Sequence, residues 1–155
     1  RMCKMRLLTF MVSLVILILN GCDNRKSPET ALFNKFLSRY NEKTIQEEPH
    51  IYLIIDEGNG CSSCAQLMLE AIETYTFDSL STSIILSGRN IRKHKLVKFN
   101  EIKIIFDTVS SISRINLGLF GSGLLYTSNC EIDSSLQISH KNIGRVISLA
   151  TKRLD

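Results

Sequence analysis

Few features of this 155-residue sequence are typical of disordered, repetitive or strongly charged proteins. It has no tryptophan, two prolines and eight glycines, and 44% of its residues are hydrophobic, so disorder and collagen-like repeats are excluded as descriptions of the whole chain. Once the three basic residues of segment 1–21 are set aside, 16 basic and 15 acidic residues remain. This nearly neutral body does not suggest a general nucleic-acid binder.

Motifs that define several common enzyme classes are also absent. The sequence contains no P-loop, no GxSxG motif, no pair of catalytic carboxylates and no internal repeat. After residue 21, no apolar run approaches the roughly 20 residues that a membrane-spanning helix needs. The length suits one domain, since domains typically have about 100 to 150 residues.

The first 21 residues have the features of an export signal. Three basic residues among the first six precede an apolar run over 7–19. A helix of that length covers only about 20 Å, less than the ~30 Å of a membrane's hydrocarbon core, so the run predicts a secretory signal and not a membrane span. The run is followed by Asn20-Gly21-Cys22, which resembles the cleavage and lipidation motif of bacterial lipoproteins.

This pattern divides the chain into three parts. We expect a lipoprotein signal peptide over 1–21, a lipidated Cys22 that begins a polar tether over 22–27, and one domain over 28–155. The protein is then expected in the bacterial cell envelope, anchored to the membrane by its lipid and facing the periplasm. The alternative is a plain signal peptide in which Cys22 is incidental.

The domain is expected to begin with an amphipathic helix over about 28–42. Ser27 and Pro28 are a typical N-cap and first helical residue, and apolar residues follow at helical spacing. We expect this helix to pack on the sheet of the domain, with docking to a partner or to the membrane surface as the alternative. Its apolar residues are Leu32, Phe33, Phe36, Leu37 and Tyr40.

The most informative motif is Cys61-Ser62-Ser63-Cys64. It follows an apolar run over 51–55, which predicts a buried strand, and a turn over 56–60. Apolar residues then recur at helical spacing from Cys64, so the pattern predicts strand, turn and helix, with both cysteines at the helix start and Cys64 facing the core. These later apolar residues are Leu67, Met68, Ala71, Ile72 and Tyr75.

Cysteines at a helix start are suited to disulfide exchange. The first turn of a helix presents unpaired N–H groups and the positive end of the helix dipole, which favour a thiolate. We expect Cys61 to be the exposed nucleophile and Cys64 to resolve the mixed disulfide. Asp56 is a candidate proton acceptor, although a surface turn carboxylate is the favoured interpretation. The alternative for the two cysteines is an inert structural disulfide.

Strand, turn, CxxC and helix together resemble the thioredoxin-like superfamily, and the rest of the chain looks most like its TlpA/ResA-type membrane-anchored branch. The resemblance covers roughly residues 50–155 in the order of elements. It implies an α/β fold, a thioredoxin-like three-layer α/β/α sandwich with a central mixed sheet. The further elements expected are strands at 83–86, 102–107, 121–126 and 136–139, helices at 89–99, about 109–115 and 141–153, and a polar turn at 128–133.

The sequence departs from the family pattern at three places. The family usually has a cis-proline opening the strand that faces the CxxC; that position falls on or beside Ser122, and no proline follows Pro49. Gly60 stands where an aromatic residue commonly precedes the first cysteine, and 65–68 lack the acidic residue of some TlpA-like reductases. We therefore expect a weakened active site. The residues that the resemblance places along the substrate groove are Gly121, Ser122 and Gly123.

Cys130 and three histidines are the remaining candidates for a metal site together with the CxxC pair. Along the predicted strands, His50 and Cys130 lie about 20 Å from the pair, whereas His140 returns to its end. A cluster of Cys61, Cys64 and His140 resembles copper-binding relatives of thioredoxin, but we expect no metal. Cys130 is expected to be a lone turn thiol, available for a bridge to another chain.

The leading hypothesis is a lipid-anchored envelope thiol–disulfide oxidoreductase that exchanges disulfides through Cys61 and Cys64. A protein thiol or disulfide would be its substrate and, as the resemblance implies, a membrane protein its electron donor; no cofactor and no nucleic acid are expected. The competing hypothesis is a non-catalytic thioredoxin-like lipoprotein, a binding module in which the two cysteines form a structural disulfide. A copper-binding relative is the least favoured alternative.

Overall fold

The structure, a computed structural model, describes residues 26–59, 62–74, 81–88 and 102–151. The predicted signal peptide, the lipidation site Cys22, most of the tether and the predicted basic helix over 89–99 lie outside these residues. Within the described ranges, no helix is long and apolar enough to cross a membrane.

The described segments form an alternation of helices and strands that follows the predicted order. The predicted strand over 51–55 extends from His50 to Asp56, and the predicted short helix over about 109–115 is one 3₁₀ turn. In chain order the elements are α1 (Pro28–Arg39), β1 (His50–Asp56), α2 (Ser62–Thr74), β2 (Thr82–Ser87), β3 (Lys103–Asp107), the 3₁₀ helix (Ile112–Arg114), β4 (Gly123–Ser128), β5 (Glu131–Gln137) and α3 (Ile143–Thr151).

The five strands form one mixed sheet in the order β3-β2-β1-β4-β5. β1, β2 and β3 are parallel, while β4 runs antiparallel to β1 and pairs with β5 in a hairpin. A parallel βαβ unit joined to an antiparallel hairpin and a closing helix is the thioredoxin-like arrangement. The predicted fold class, a three-layer α/β/α sandwich with a central mixed sheet, is confirmed.

Helices cover both faces of the sheet. β1 lies in the centre of the sheet and directs apolar side chains alternately to the two faces, so that each face offers an apolar surface to a helix. Ile51, Leu53 and Ile55 pack with α2 and α3, whereas Tyr52 and Ile54 pack with α1. The continuous apolar run of β1 therefore identifies a strand buried on both faces. On the α1 side the buried helix residues are Phe33, Phe36 and Leu37.

Helix α1 begins as predicted but ends earlier than residue 42. Ser27 Oγ accepts the N–H of Thr30 at 3.2 Å, which caps the helix start. At the other end, Asn41 adopts a φ of +57°, and the N–H of Glu42 donates to the carbonyl of Leu37 at 3.0 Å. These bonds form a Schellman motif, which terminates the helix at Arg39.

The β4–β5 hairpin is tighter than the sequence predicted. The expected polar turn at 128–133 is a two-residue turn of Asn129 and Cys130, with φ of +48° and +65°, and β5 begins directly after it at Glu131. Positive φ at both central residues is the mark of a type I′ turn, whose twist matches the flanking strands. The last strand, predicted at 136–139, is present but runs from Glu131 to Gln137. It was placed too late because β5 is an edge strand, whose polar residues face solvent without disrupting the sheet.

Candidate functional site

The predicted CxxC lies at the start of α2, at the carboxyl end of the central strand. β1 ends at Asp56 and α2 begins at Ser62, so Cys64 is in the first helical turn. Its side chain is 1% exposed, packs in the core beside Met68 and is disulfide-bonded. The prediction that Cys64 faces the core is confirmed. Cys61 precedes the first helical residue and lies outside the described residues, so its role as nucleophile stays a prediction.

The turn before α2 is shaped by Asp56, which is 1% exposed. Its Oδ1 accepts the backbone N–H groups of Gly58 at 2.9 Å and Asn59 at 3.2 Å, and its Oδ2 accepts the side-chain amide of Asn59 at 3.1 Å. The interpretation of Asp56 as a surface carboxylate was wrong, because the turn folds back over the carboxylate and satisfies it.

Asp56 also lies on the opposite side of the sheet from Cys64. Alternation along β1 places its side chain on the face of Ile54, where it borders a small space with Ile112 and Leu117. Cys64 belongs to the cluster on the other face. The role of Asp56 as a proton acceptor stays a prediction, and the geometry favours a role in holding the turn.

The predicted groove segment over 121–123 lies directly beside this turn. Ser122 Oγ accepts the backbone N–H of Asp56 at 3.0 Å, and Ser122 is 3% exposed. Gly121 has a φ of +90°, and a Cβ at Gly123 would lie 2.5 Å from the side chain of Leu119. The backbone at Gly121 therefore favours glycine, whereas a side chain at Gly123 would require the side chain of Leu119 to move. Across the described ranges every peptide bond is trans, including that of Ser122, where the family pattern has its cis-proline.

His140 reaches the CxxC helix, as the sequence predicted. Its Nε2 lies 3.0 Å from the hydroxyl oxygen of Ser63, the residue before Cys64. The loop that carries His140 is fixed by Asn142, whose Oδ1 accepts the N–H of Ser139 at 2.7 Å and whose Nδ2 donates to the carbonyl of Gln137 at 2.7 Å. An imidazole and a hydroxyl thus lie together on the exposed side of the helix start.

The aromatic ring of Phe120 lies outside the core, at the same end of the sheet. The side chain is 86% exposed, but its backbone is held on both sides by the side-chain amide of Gln137. Gln137 Oε1 accepts the N–H of Phe120 at 2.6 Å, and its Nε2 donates to the carbonyl of Phe120 at 2.6 Å. The loop therefore presents an apolar side chain from an ordered backbone.

Asp107 organises the neighbouring strand end. It is buried at 0% exposure and accepts hydrogen bonds from Tyr40 Oη at 2.7 Å, Ser111 Oγ at 2.9 Å and the N–H of Ile112 at 2.7 Å. Burial by itself raises the pKa of this carboxyl, but the hydrogen bonds outweigh burial and lower the pKa below its ordinary value. Asp107 therefore joins β3, the 3₁₀ helix and α1 as an ionised group.

The opposite end of the sheet contains His50 and Cys130, as predicted. His50 begins β1 and lies across from Thr127, and its Nε2 is 2.9 Å from Ser83 Oγ. It borders a cavity of about 380 Å³ with Tyr52, whose pKa is raised to about 12 by burial and by the charge of Glu42.

Cys130 is not the lone turn thiol that the sequence predicted. Its side chain is 4% exposed and disulfide-bonded, and its backbone N–H donates to the carbonyl of Gln46 at 2.9 Å. The turn packs against the segment before β1, which buries the sulfur. Cys64 lies at the other end of a seven-residue strand, about 20 Å away, so the two cysteines are not bonded to each other.

A metal site is not formed by the part of the chain that the structure describes. No group of three or more histidine, cysteine, aspartate or glutamate side chains converges there. The copper-site alternative needs Cys61, which lies outside that part, together with Cys64 and His140. It is therefore neither supported nor tested as a whole.

No protein-family model and no curated protein matches the chain. Among solved structures, it is similar to a solution structure of a candidate thioredoxin from Neisseria meningitidis, at 13% sequence identity and a TM-score of 0.41, covering 74% of this chain and 85% of that one. The thioredoxin-like assignment of the fold rests on the strand order, the strand directions and the helices on both faces of the sheet.

Sequence reasoning missed Phe120 and Gln137. Phe120 could have been noticed from the sequence, because it is an aromatic residue directly before the predicted groove segment over 121–123. The predicted core does not require a side chain at that position. Gln137 has no such signal, because its amide acts on a residue 17 positions away in the sequence.

Proposed function

We propose that the protein is a thiol–disulfide oxidoreductase of the TlpA/ResA type, acting through Cys61 and Cys64. The observation that carries this proposal is the position of Cys64, which is buried and disulfide-bonded in the first turn of α2, at the carboxyl end of the central strand. A disulfide at a helix start opens to a thiolate that the helix N–H groups stabilise.

In the reductive direction the chemistry needs no cofactor. The thiolate of Cys61 attacks a substrate disulfide, forming a mixed disulfide and releasing one substrate thiolate, which takes a proton from solvent. The thiolate of Cys64 then attacks the Cys61 sulfur, which closes the Cys61–Cys64 disulfide and releases the second substrate thiolate. Two electrons pass to the substrate, and a dithiol of a membrane protein would restore the reduced pair.

The surroundings of Cys64 support exchange. The first turn of α2 contains no acidic residue, and the carboxylate of Asp56 is turned to the other face of the sheet, so neither opposes a thiolate there. Ser63 and His140 lie together on the exposed side of the helix start, where they add polar groups but no carboxylate. Ser122, against the preceding turn, would support the substrate groove through its backbone.

The test is reduction of insulin with dithiothreitol as the electron donor. Wild-type protein is expected to accelerate precipitation of insulin chains, whereas Cys61→Ser and Cys64→Ser are expected to lose the acceleration. Cys130→Ser is the matched control, because it removes a disulfide at the other end of the sheet and should retain activity. A wild-type protein that is inactive although its Cys64 disulfide can be reduced would contradict the proposal.

Such an inactive protein would support the second candidate, a binding module with a structural disulfide. Two observations favour that candidate. Cys64 is as well buried as the distant Cys130, and Ser122 stands in a trans peptide where the family pattern has cis-proline. A partner that binds equally well after both CxxC cysteines are replaced by serine would then identify the module.

We further propose that the mature protein is lipid-anchored through Cys22 in the bacterial envelope, on the sequence alone. This proposal has a chemical consequence. If Cys61 pairs with Cys64, only Cys3 and Cys22 remain as partners for Cys130 within the chain. Cleavage before Cys22 removes Cys3, and lipidation uses the sulfur of Cys22, so the anchor and an intrachain bond of Cys130 exclude one another.

Mass spectrometry of the protein isolated from its own membrane decides between these two states. A diacylglyceryl group on Cys22, with Cys130 bridged to another chain, is the expected result. A peptide pair in which Cys22 is joined to Cys130 would overturn the anchor without affecting the proposed exchange chemistry.

A further inference from the structure

We propose that the cavity at the end of the sheet opposite the CxxC helix binds a small uncharged organic molecule, one with an apolar body and a carbonyl oxygen that accepts a hydrogen bond from Tyr52. The cavity volume of about 380 Å³ is within the range of roughly 300 to 1,000 Å³ that is typical of ligand sites. Because it lies at the start of β1, about 20 Å from Cys64, this proposal does not depend on disulfide exchange.

The cavity is lined by a hydroxyl group that has no hydrogen-bond partner, that of Tyr52. This residue is 8% exposed, and within the described ranges no group donates to its hydroxyl or accepts from it. By contrast, the hydroxyl of Tyr40 at the other end of the sheet donates to Asp107 at 2.7 Å. A hydroxyl that is more than nine-tenths buried and unpaired costs folding free energy, and a ligand with an acceptor atom removes that cost.

The hydroxyl of Tyr52 is on the cavity side of the ring and is a donor. The charge of Glu42, which also lines the cavity, acts on this hydroxyl, and together with burial it raises the pKa of Tyr52 to about 12. The hydroxyl therefore keeps its proton at neutral pH and can donate it to a hydrogen bond. The complementary group on a ligand is an acceptor such as a carbonyl oxygen.

The ring that carries this hydroxyl is held by two neighbouring rings. Phe33 packs edge-on against Tyr52, with ring centroids 5.0 Å apart and planes at 84°, and the ring of His50 lies 4.7 Å away at 55°. His50 is fixed in turn by Ser83, which is 3% exposed and whose Oγ is 2.9 Å from its Nε2. A donor that is already fixed loses little conformational entropy on binding, and this favours a ligand.

The charges around the cavity favour an uncharged ligand. Lys103 forms an ion pair with Glu42, and the lining as a whole has no excess of either sign. An anion or a cation would lose its hydration without gaining a surplus of opposite charge, whereas an apolar body covers the buried side chains of Leu37 and Ile105. The charged lining residues are two acidic and two basic ones, Glu42, Glu48, Lys43 and Lys103.

Titration of the isotope-labelled protein by nuclear magnetic resonance tests the proposal, with benzamide as the probe. Benzamide has an uncharged ring with one carbonyl group, and benzoate and benzylamine keep the ring but carry a negative and a positive charge. For a probe of about nine heavy atoms, we expect a dissociation constant of about 10 mM. The backbone amide signals of Tyr52, Ser83 and Ile105 should shift with benzamide and less with the two charged probes.

Tyr52→Phe keeps the ring and removes the hydroxyl. It is expected to weaken benzamide binding about fivefold, the effect of one hydrogen bond, and to unfold at the same urea concentration as wild type or a higher one. Stability should not fall because the hydroxyl has no partner in the protein. Tyr126→Phe is the matched control, since it makes the same change on the neighbouring strand β4 and on the other face of the sheet, and it should leave binding unchanged.

Four results would overturn the proposal. The first is the absence of shifts at the cavity with benzamide at up to about 50 mM, five times the expected dissociation constant. The second is benzamide binding that is equally strong in Tyr52→Phe and wild type. The third is tighter binding of benzoate or benzylamine, which would assign the cavity to a charged ligand. The fourth is a lowered urea midpoint for Tyr52→Phe, which would show that the hydroxyl is paired within the protein.

Discussion

Cys64 and Cys130 are both buried and both disulfide-bonded, yet they have different surroundings. Cys64 lies in the first turn of a helix, with Ser63 and His140 on its exposed side. Cys130 lies in a two-residue hairpin turn that packs against the segment before β1. Burial and bonding alone therefore do not separate a reactive cysteine from a structural one. The two cysteines differ in the groups that can stabilise a thiolate: the N–H groups of a helix start are present at Cys64 and are not present at Cys130.

The largest difference that we expect between the two ends is in reduction potential. The disulfide of Cys64 should equilibrate with glutathione at about −180 to −270 mV, the range of thioredoxin-like enzymes, while that of Cys130 should stay closed to below about −300 mV. Alkylation of each cysteine in a series of glutathione buffers, followed by mass spectrometry, measures both midpoints. Equal midpoints would remove the distinction between the two cysteines.

The next largest effect concerns stability at the Cys130 end. Cys130→Ser should lower the free energy of unfolding by about 1–3 kcal/mol, because it loses the disulfide and places a hydroxyl at a position that is 4% exposed. Cys130→Gly should lose about 1 kcal/mol less, since glycine accepts the positive φ of this position without strain. Urea unfolding with and without reductant measures both values. Identical losses in the two variants would show that the turn is not strained.

At the Cys64 end, Asp107→Asn should cost about 2 kcal/mol at pH 7, because hydrogen bonds to a buried charge are lost or weakened. The folded-state pKa of Asp107 is below its unfolded value, so its stabilisation is present above the unfolded pKa and is lost as pH falls through the folded pKa. The difference between wild type and variant should therefore shrink below about pH 4. Urea unfolding at pH 7 and pH 3 tests this, and a loss that is the same at both values would contradict it.

The smallest effect that we expect is local. Gln137→Ala removes the two hydrogen bonds that hold the backbone of Phe120 and should lower the free energy of local opening by about 1 kcal/mol, with little change in global stability. Hydrogen exchange should become faster over 117–122 and stay unchanged in the turn at Cys130. Faster exchange at both ends would show that the loop and the hairpin open together.

Much of the fold could be predicted from the sequence because local signals and tertiary structure agree. The run over 51–55 is apolar without alternation, which indicates a strand covered on both faces, and the spacing after Cys64 identifies the core face of α2. The end of α1 and the β4–β5 turn were placed wrongly. Both depend on residues with positive φ that are not glycine, Asn41 and Cys130, and composition gives no indication of them.

The site was predicted less completely than the fold. The positions of Cys64 and His140 follow from strand direction, which the sequence order determines. The burial of Asp56 and the hydrogen bonds between Gln137 and Phe120 depend on how loops fold back on the sheet, and such contacts have no local pattern. The disulfide of Cys130 was missed for the same reason, since its turn is buried by the segment before β1.

The central claim is that a thiolate forms at the start of α2, and the pH dependence of alkylation tests it most directly. The reduced protein is treated with iodoacetamide across a pH series, and modification of Cys61 and Cys64 is followed by mass spectrometry. The account predicts that Cys61 reacts first, with a midpoint below the value of about 8.5 for a free cysteine, while Cys64 is protected by burial. A midpoint at or above that value for Cys61, or faster reaction of Cys64, would contradict it.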